Sequence, residues 1–345
     1  MTRLLSIMMF KRIGISLFVL LAALVPTLSQ AASINLGNAG NYTIFGLGST
    51  MSVGTADSLT GNTAEIYGNV AVGADTTSLT ASGNGSFQKG FIQGSLYVDG
   101  PITPASYSIV NKNFTISGTV FGTTPANPGN NPDSVGTGTF NLSPAVQDAM
   151  NSSVFYAGIG GQTSLGNVNL NSANLTLNAG NYSATGFLMN SGAILTINGS
   201  AADTFVLNVS GGFDFTKSFI QLTGGITSDN VLFNVVGTGT TAKVTGDNSI
   251  FYGTLLAVNR NIDIQGIGSQ NGFVQGVSAG LDGIPGTDDD NPGYEGRVIG
   301  ALSTSTTTLN LDVFSGAEVN APVPEPSAFA LLVLGAVGLW LKKRR

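Results

Sequence analysis

The chain has 345 residues, 42% of them hydrophobic and 9% charged, with 48 glycines and neither cysteine nor histidine. Without cysteine there is no disulfide framework, and without histidine there is no His-based triad, His-bearing zinc site or His general base. Seven of the 13 basic residues lie at the two ends. The body keeps Lys89, Lys112, Lys217, Lys243, Arg260 and Arg297 against 18 acids, which argues against nucleic acid and makes a divalent cation a more natural partner.

At the start, Arg3, Lys11 and Arg12 precede the apolar run from Ile13 to Val25, which Pro26 ends. Ser29, Gln30 and Ala31 follow, with small residues where signal peptidase reads. Residues 1–31 therefore read as a signal peptide with a short helix, cleaved near Ala31.

The body, residues 32–320, reads as one all-β domain. Thr123 to Thr139 is a loop broken by Pro125, Pro128 and Pro132. One helix follows: Ser143 is the expected N-cap, Pro144 fits N1, and Ala145 to about Phe155 continues it. Val146, Ala149 and Met150 share its apolar face, with Asp148 toward solvent.

From Val168 onward, apolar side chains alternate in short bursts. Leu175 and Leu177 form one, as do Leu195 and Ile197, then Phe205, Leu207 and Val209. Phe213 and Phe215, Val231, Phe233 and Val235, and Ile262 and Ile264 continue the series. Gly, Asn and Ser fill the turns between them. A sandwich, a barrel or a solenoid suits this pattern. The solenoid is favoured by the small and amide residues at the turns, where Asn side chains can form ladders, and by a scarcity of aromatics. No strict repeat length is visible.

Three groups are candidates for chemistry. Asp282, Asp288 and Asp290, with Glu295 nearby, are candidate calcium ligands, since calcium takes six to eight oxygens from flexible loops. Their spacing is not that of an EF-hand, so a solvated acidic insertion is the competing reading. Thr304, Thr306 and Thr308 share one face of a strand and are a candidate ice- or surface-binding array. Threonine is also simply a common strand residue. Lys243, Arg260 and Asp263 are the charges a polysaccharide lyase would need, but nothing in the sequence gathers them into one cleft. No catalytic residue or resident cofactor is assigned, calcium aside.

At the end of the chain stand Val323, Pro324, Glu325, Pro326 and Ser327, then an apolar run from Ala328 to Leu341, then Lys342 to Arg345. This order resembles the PEP-CTERM sorting signal, here residues 321–345. The resemblance implies a short transmembrane helix that holds an inner-membrane intermediate, with its basic tail kept cytoplasmic. It also implies processing by an exosortase and delivery to the surface or exopolysaccharide matrix of a Gram-negative bacterium.

The body carries its own resemblance. Ile66 to Gly73, Asn181-Tyr182, Asp203 to Leu207, Asp229 to Phe233, Phe251 to Ala257 and Gly296 to Ala301 occur in order. This succession is similar to the microbial ice-binding-like β-solenoid family, and also to "choice-of-anchor A" surface domains. It implies a discontinuous β-solenoid with one packed helix, and Ile66 to Gly73 as the first coil. The expected function is a structural or adhesive surface protein, with ice binding as the alternative and a carbohydrate-active enzyme as a distant third.

Overall fold

Short strands with alternating apolar side chains are stacked in parallel, each turning its apolar side toward a shared axis. The computed structural model describes residues 33–48, 50–54, 64–73, 90–92, 94–98, 114–116, 119–122, 134–137, 141–246, 249–265, 292–302, 308–312 and 318–320. Ser33–Pro324 forms one compact unit. The expected signal helix, the sorting motif (Val323, Pro324, Glu325 and Pro326) and the C-terminal transmembrane helix lie outside the described residues. No helix among the described residues is long and apolar enough to cross a membrane.

The first series of strands is β1 (Ile44–Gly46), β2 (Thr50–Gly54), β3 (Ala64–Tyr67), β4 (Val70–Val72), β5 (Gly90–Ile92), β6 (Leu96–Val98), β7 (Phe114–Ile116), β8 (Thr119–Gly122) and β9 (Ser134–Thr137). A helix, α1 (Ser143–Ala157), follows. The second series opens with β10 (Thr163–Asn171), β11 (Asn174–Asn178), β12 (Gly180–Asn190), β13 (Ile194–Asn198), β14 (Phe205–Val209), β15 (Phe213–Thr216) and β16 (Phe219–Thr223). It closes with β17 (Val231–Val235), β18 (Ala242–Thr245), β19 (Phe251–Ala257), β20 (Ile262–Gln265), β21 (Pro292–Gly300), β22 (Thr308–Asp312) and β23 (Glu318–Asn320).

Every strand pairing among the described residues is parallel. Parallel neighbours need a crossover rather than a hairpin, and here each crossover is the rest of the coil. Val168 lies over Phe187, Gly180 over Phe205, Leu232 over Thr254 and Thr254 over Arg297, so the coil length varies and no strict repeat exists.

The solenoid is discontinuous because one coil is assembled from both ends of the unit. The N-terminal half of β21 pairs with β23, Glu295 opposite Asn320. Its C-terminal half pairs with β1, Val298 opposite Ile44 and Gly300 opposite Gly46. β2 then stacks on β22. From this junction β3 to β9 stack outward in one direction, while β10 to β20 lead back to it from the other. The stretch read as the first coil, Ile66 to Gly73, contains the end of β3 and all of β4, one step beyond the junction.

The core is more aromatic than the composition suggests. Phe205, Phe233, Phe251 and Tyr294 come from four successive coils, with ring centroids 6.0, 4.9 and 4.8 Å apart. Phe187 and Phe213 form a second column 6.1 Å apart, and Phe213 meets Phe233 at 5.8 Å. Sequence counts missed this because few aromatics suffice when the register places them on one axis.

Helix α1 lies on the outer side of β14, β17 and β19 and against residues 37–41. Its buried face is Ala145, Ala149, Ser152 and Tyr156, while Val146 and Met150 pack only at its edge. Small residues let the backbone approach the sheet, where Val206, Leu232, Leu256, Ile299 and Phe45 form the apolar bed. Two expectations need correction. Ser143 is the first residue of the helix rather than its cap, the N-cap is Leu142, and the Asn141 side chain just before it accepts from the Ser143 N–H at 2.9 Å. Asp148 does not simply face solvent, because it accepts from the Asn38 N–H at 2.8 Å and the Asn38 amide at 2.7 Å.

Candidate functional site

The solenoid has three sides, and α1 covers one of them. A second, broad sheet runs through β10, β12, β15, β18, β20, β22 and β2. Alternation points Phe187, Phe213, Val244 and Ile262 inward, which leaves their neighbours on the outer surface. One outer column reads Asn169, Leu188, Asp214, Lys243 and Asp263. The next contains Thr216, Thr245 and Gln265. Lys243 and Gln265 are exposed, and Asp214, Thr216, Thr245 and Asp263 are half-buried.

Steps between stacked strands are about 4.8 Å, so these columns present polar groups at lattice spacing. The hydroxyls of Thr216 and Thr245 are 2.8 Å apart, and Thr216 also donates to Asp214 Oδ1 at 2.6 Å. Such mutual bonds fix the rotamers and leave an ordered array of oxygens facing outward.

The third side is narrower, formed by β11, β13 and β16. Thr176, Thr196 and Gln221 form its central outer column. Beside it the Asn198 amide donates to Asn178 Oδ1 at 3.1 Å, and the Thr223 hydroxyl donates to Asn198 Oδ1 at 3.2 Å. This is the asparagine ladder expected of stacked corners. A polar cleft at the edge of this side is lined by Asn178, Asn198, Ser200 and Asp203. The Ser200 N–H and hydroxyl both donate to Asp203 and hold its carboxyl below its usual range.

Of the residues singled out in the sequence, Thr308 begins β22, opposite Thr50 of β2. Thr304 and Thr306 lie outside the described residues. So do Asp282, Asp288 and Asp290. Glu295 stands on β21, where its Oε1 accepts the Ser228 hydroxyl at 2.5 Å, and burial raises its carboxyl pKa. Among the described residues no three acids cluster to hold a metal.

The charges considered for lyase chemistry divide between two places. Lys243 and Asp263 are register neighbours on the broad sheet. Arg260 is buried at a corner, where its five N–H groups meet backbone carbonyls at 2.8–3.4 Å. Those carbonyls belong to Ser210, Gly211, Val236, Gly237 and Thr240, so the guanidinium ties the corners of three coils and has no donor left for a substrate.

Sequence reasoning missed the Asp214, Thr216, Lys243 and Thr245 array. Its signal was present, since these residues alternate with Phe213, Phe215, Ala242 and Val244, but their register was not visible.

The fold is a parallel β-solenoid with a helix along one side and a broad sheet carrying ordered polar side chains on another. The family model for the ice-binding-like adhesive domain matches residues 35–279. The chain belongs to that family. Residues 322–345 match the PEP-CTERM protein-sorting motif, which marks an exported surface protein. No curated protein matches the sequence.

Among solved structures, the chain is similar to an ice-binding protein from an Antarctic biological consortium, with a TM-score of 0.47 and 16% identity over 85% of this chain and 92% of that one. It is also similar to an ice-binding protein from an Arctic yeast, with a TM-score of 0.46 and 20% identity over 85% and 96% of the two chains. A third is from the Antarctic ascomycete Antarctomyces psychrotrophicus, with a TM-score of 0.46 and 18% identity over 84% and 98%.

Proposed function

We propose that the chain is an adhesive protein of the cell surface or exopolysaccharide matrix, and that the broad sheet is its contact face. Signal peptidase cuts near Ala31 and exosortase near Pro324, freeing the body from its inner-membrane intermediate. The observation that carries the reading is the column Asp214, Lys243, Asp263 beside the bonded hydroxyls of Thr216 and Thr245. Mixed donors and acceptors at fixed spacing suit the hydroxyls of an extended polysaccharide, with low affinity per group and a large area. Cell fractionation tests this. Thr245→Tyr should release the protein into the medium while it stays folded, and full retention of that variant would refute the face.

Ice is the second reading, supported by the family and by the Thr176 and Thr196 column, which repeats hydroxyls and methyls between coils. Charges on the broad sheet favour the first reading there, since an ice lattice offers no counter-charge. Thr304, Thr306 and Thr308 are proposed to extend the contact surface.

Calcium is proposed to order the loop bearing Asp282, Asp288 and Asp290, with Glu295 at its end. Calorimetry with calcium alone should give heat and a rise in Tm that follows the logarithm of free calcium. No heat and no shift would leave the loop merely acidic.

A further inference from the structure

The coil made of β10 and β11 is the last of its series. Among the described residues β10 pairs only with β12 and β11 only with β13, so both present an unpaired backbone edge. The interior is also open there. Leu170, Leu175 and Leu177 are only partly buried, whereas their register partners Met189, Leu195 and Ile197 are fully buried. Stacked-coil proteins ordinarily need a polar cap at such an end to stay soluble.

Edges are usually guarded by lysine, proline or other charged residues. None of these guards is present. No residue between Asp148 and Asp203 is charged, and Thr163 to Asn178 contains no proline. The irregular stretch is centred on Gly166, with φ of 65°, which has a register shift on each side. It leaves Asn167 to Asn171 and all of β11 regular.

We propose that this end docks the same end of a second copy of the chain, forming a two-fold dimer. The sequence of β11 supports that occupant, because Asn174-Leu175-Thr176-Leu177-Asn178 reads the same in both directions. An axis through Thr176 makes β11 antiparallel to its mate. Leu175 then opposes Leu177, Asn174 opposes Asn178, and Thr176 opposes itself. The two arms of β10, on either side of the Gly166 bend, exchange places under the same axis. The open leucines of each copy close those of the other, and the free edges complete a ladder. Charge agrees with the choice: the body carries six basic residues against 18 acids, and two copies approach most easily at an uncharged end. This contact is independent of what the broad sheet binds.

A single cysteine tests the axis directly, since the chain has none of its own. Directly opposed side chains on antiparallel strands have Cβ atoms about 4.5–5.5 Å apart, near disulfide range. Under mild oxidation of residues 33–324, Thr176→Cys should trap a covalent dimer, and Asn259→Cys, exposed in a distant turn, should not. Sedimentation velocity should show dimer growing with concentration, and Thr176→Lys, which sets two charges face to face, should weaken it about tenfold or more. The proposal is overturned if wild type stays monomeric at high concentration, if Thr176→Lys dimerises as well as wild type, or if Asn259→Cys crosslinks as readily as Thr176→Cys.

Discussion

Asn208 and Asn234 face each other on adjacent coils, and the Asn234 amide donates to Asn208 Oδ1 at 2.8 Å. Both also reach the helix. Asn234 donates to the Ser153 carbonyl at 2.9 Å, and Asn208 to the Tyr156 carbonyl at 2.9 Å. The Tyr156 carbonyl lies in the last turn, where carbonyls lack full partners within the helix, and the Asn208 amide supplies one from the sheet below; the Ser153 carbonyl takes the Asn234 amide as a second donor. The pair thus fixes the end of α1 to the solenoid.

Replacing Asn234 by leucine takes the donor from Asn208 Oδ1, a buried side chain, and the acceptor from the Ser153 hydroxyl. The expected loss is about 1–3 kcal/mol. Hydrogen exchange should show faster opening of the last turn of α1 than of β17. Unchanged protection of Ser153 to Ala157 would mean that apolar packing alone holds the helix.

Arg260 makes the sharper structural claim. Arg260→Met fills the space but strands carbonyls at the corners of three coils, which should cost about 3 kcal/mol or more. Arg260→Lys should recover only part of this, because an ammonium cannot fork toward Ser210, Gly211, Val236, Gly237 and Thr240 at once. Gly239→Ala should act in the same direction. Its φ is 158°, and a Cβ there would lie 2.8 Å from Arg260 Nη1. Chemical denaturation measures all three, and a wild-type midpoint for Arg260→Met would contradict the account.

Much of this was legible beforehand. Alternation alone marks Leu175, Leu195, Phe205, Phe233 and Ile262 as inward residues, and they are inward. The partnership of β1 with β21 was not legible, because periodicity gives a strand its faces but not its neighbour. Asn208, Asn234 and Arg260 look like surface polar residues in the sequence. Only the register, which brings a helix end or three corners against them, makes them internal.

The same limit applies to Glu295, whose raised pKa makes stability depend on pH. A carboxyl whose folded pKa exceeds its unfolded value stabilises the fold at low pH, and that contribution is lost as pH rises through the folded pKa. The loss should therefore begin above about pH 4.3, the unperturbed glutamate value. Glu295→Gln keeps an acceptor for the Ser228 hydroxyl without the buried charge, so its Tm should fall less than that of wild type between acid and neutral pH. Parallel Tm curves for the two proteins would contradict this.

The central claim is that the broad sheet adheres to polysaccharide. The most direct measurement is co-sedimentation of residues 33–324 with purified exopolysaccharide, beside an ice-recrystallisation assay on the same sample. Wild type should sediment with the polymer and leave ice growth unchanged, and Thr245→Tyr should stay in the supernatant while remaining folded. Inhibition of ice recrystallisation by a wild-type protein that ignores the polysaccharide would contradict the account and install the ice-binding reading in its place.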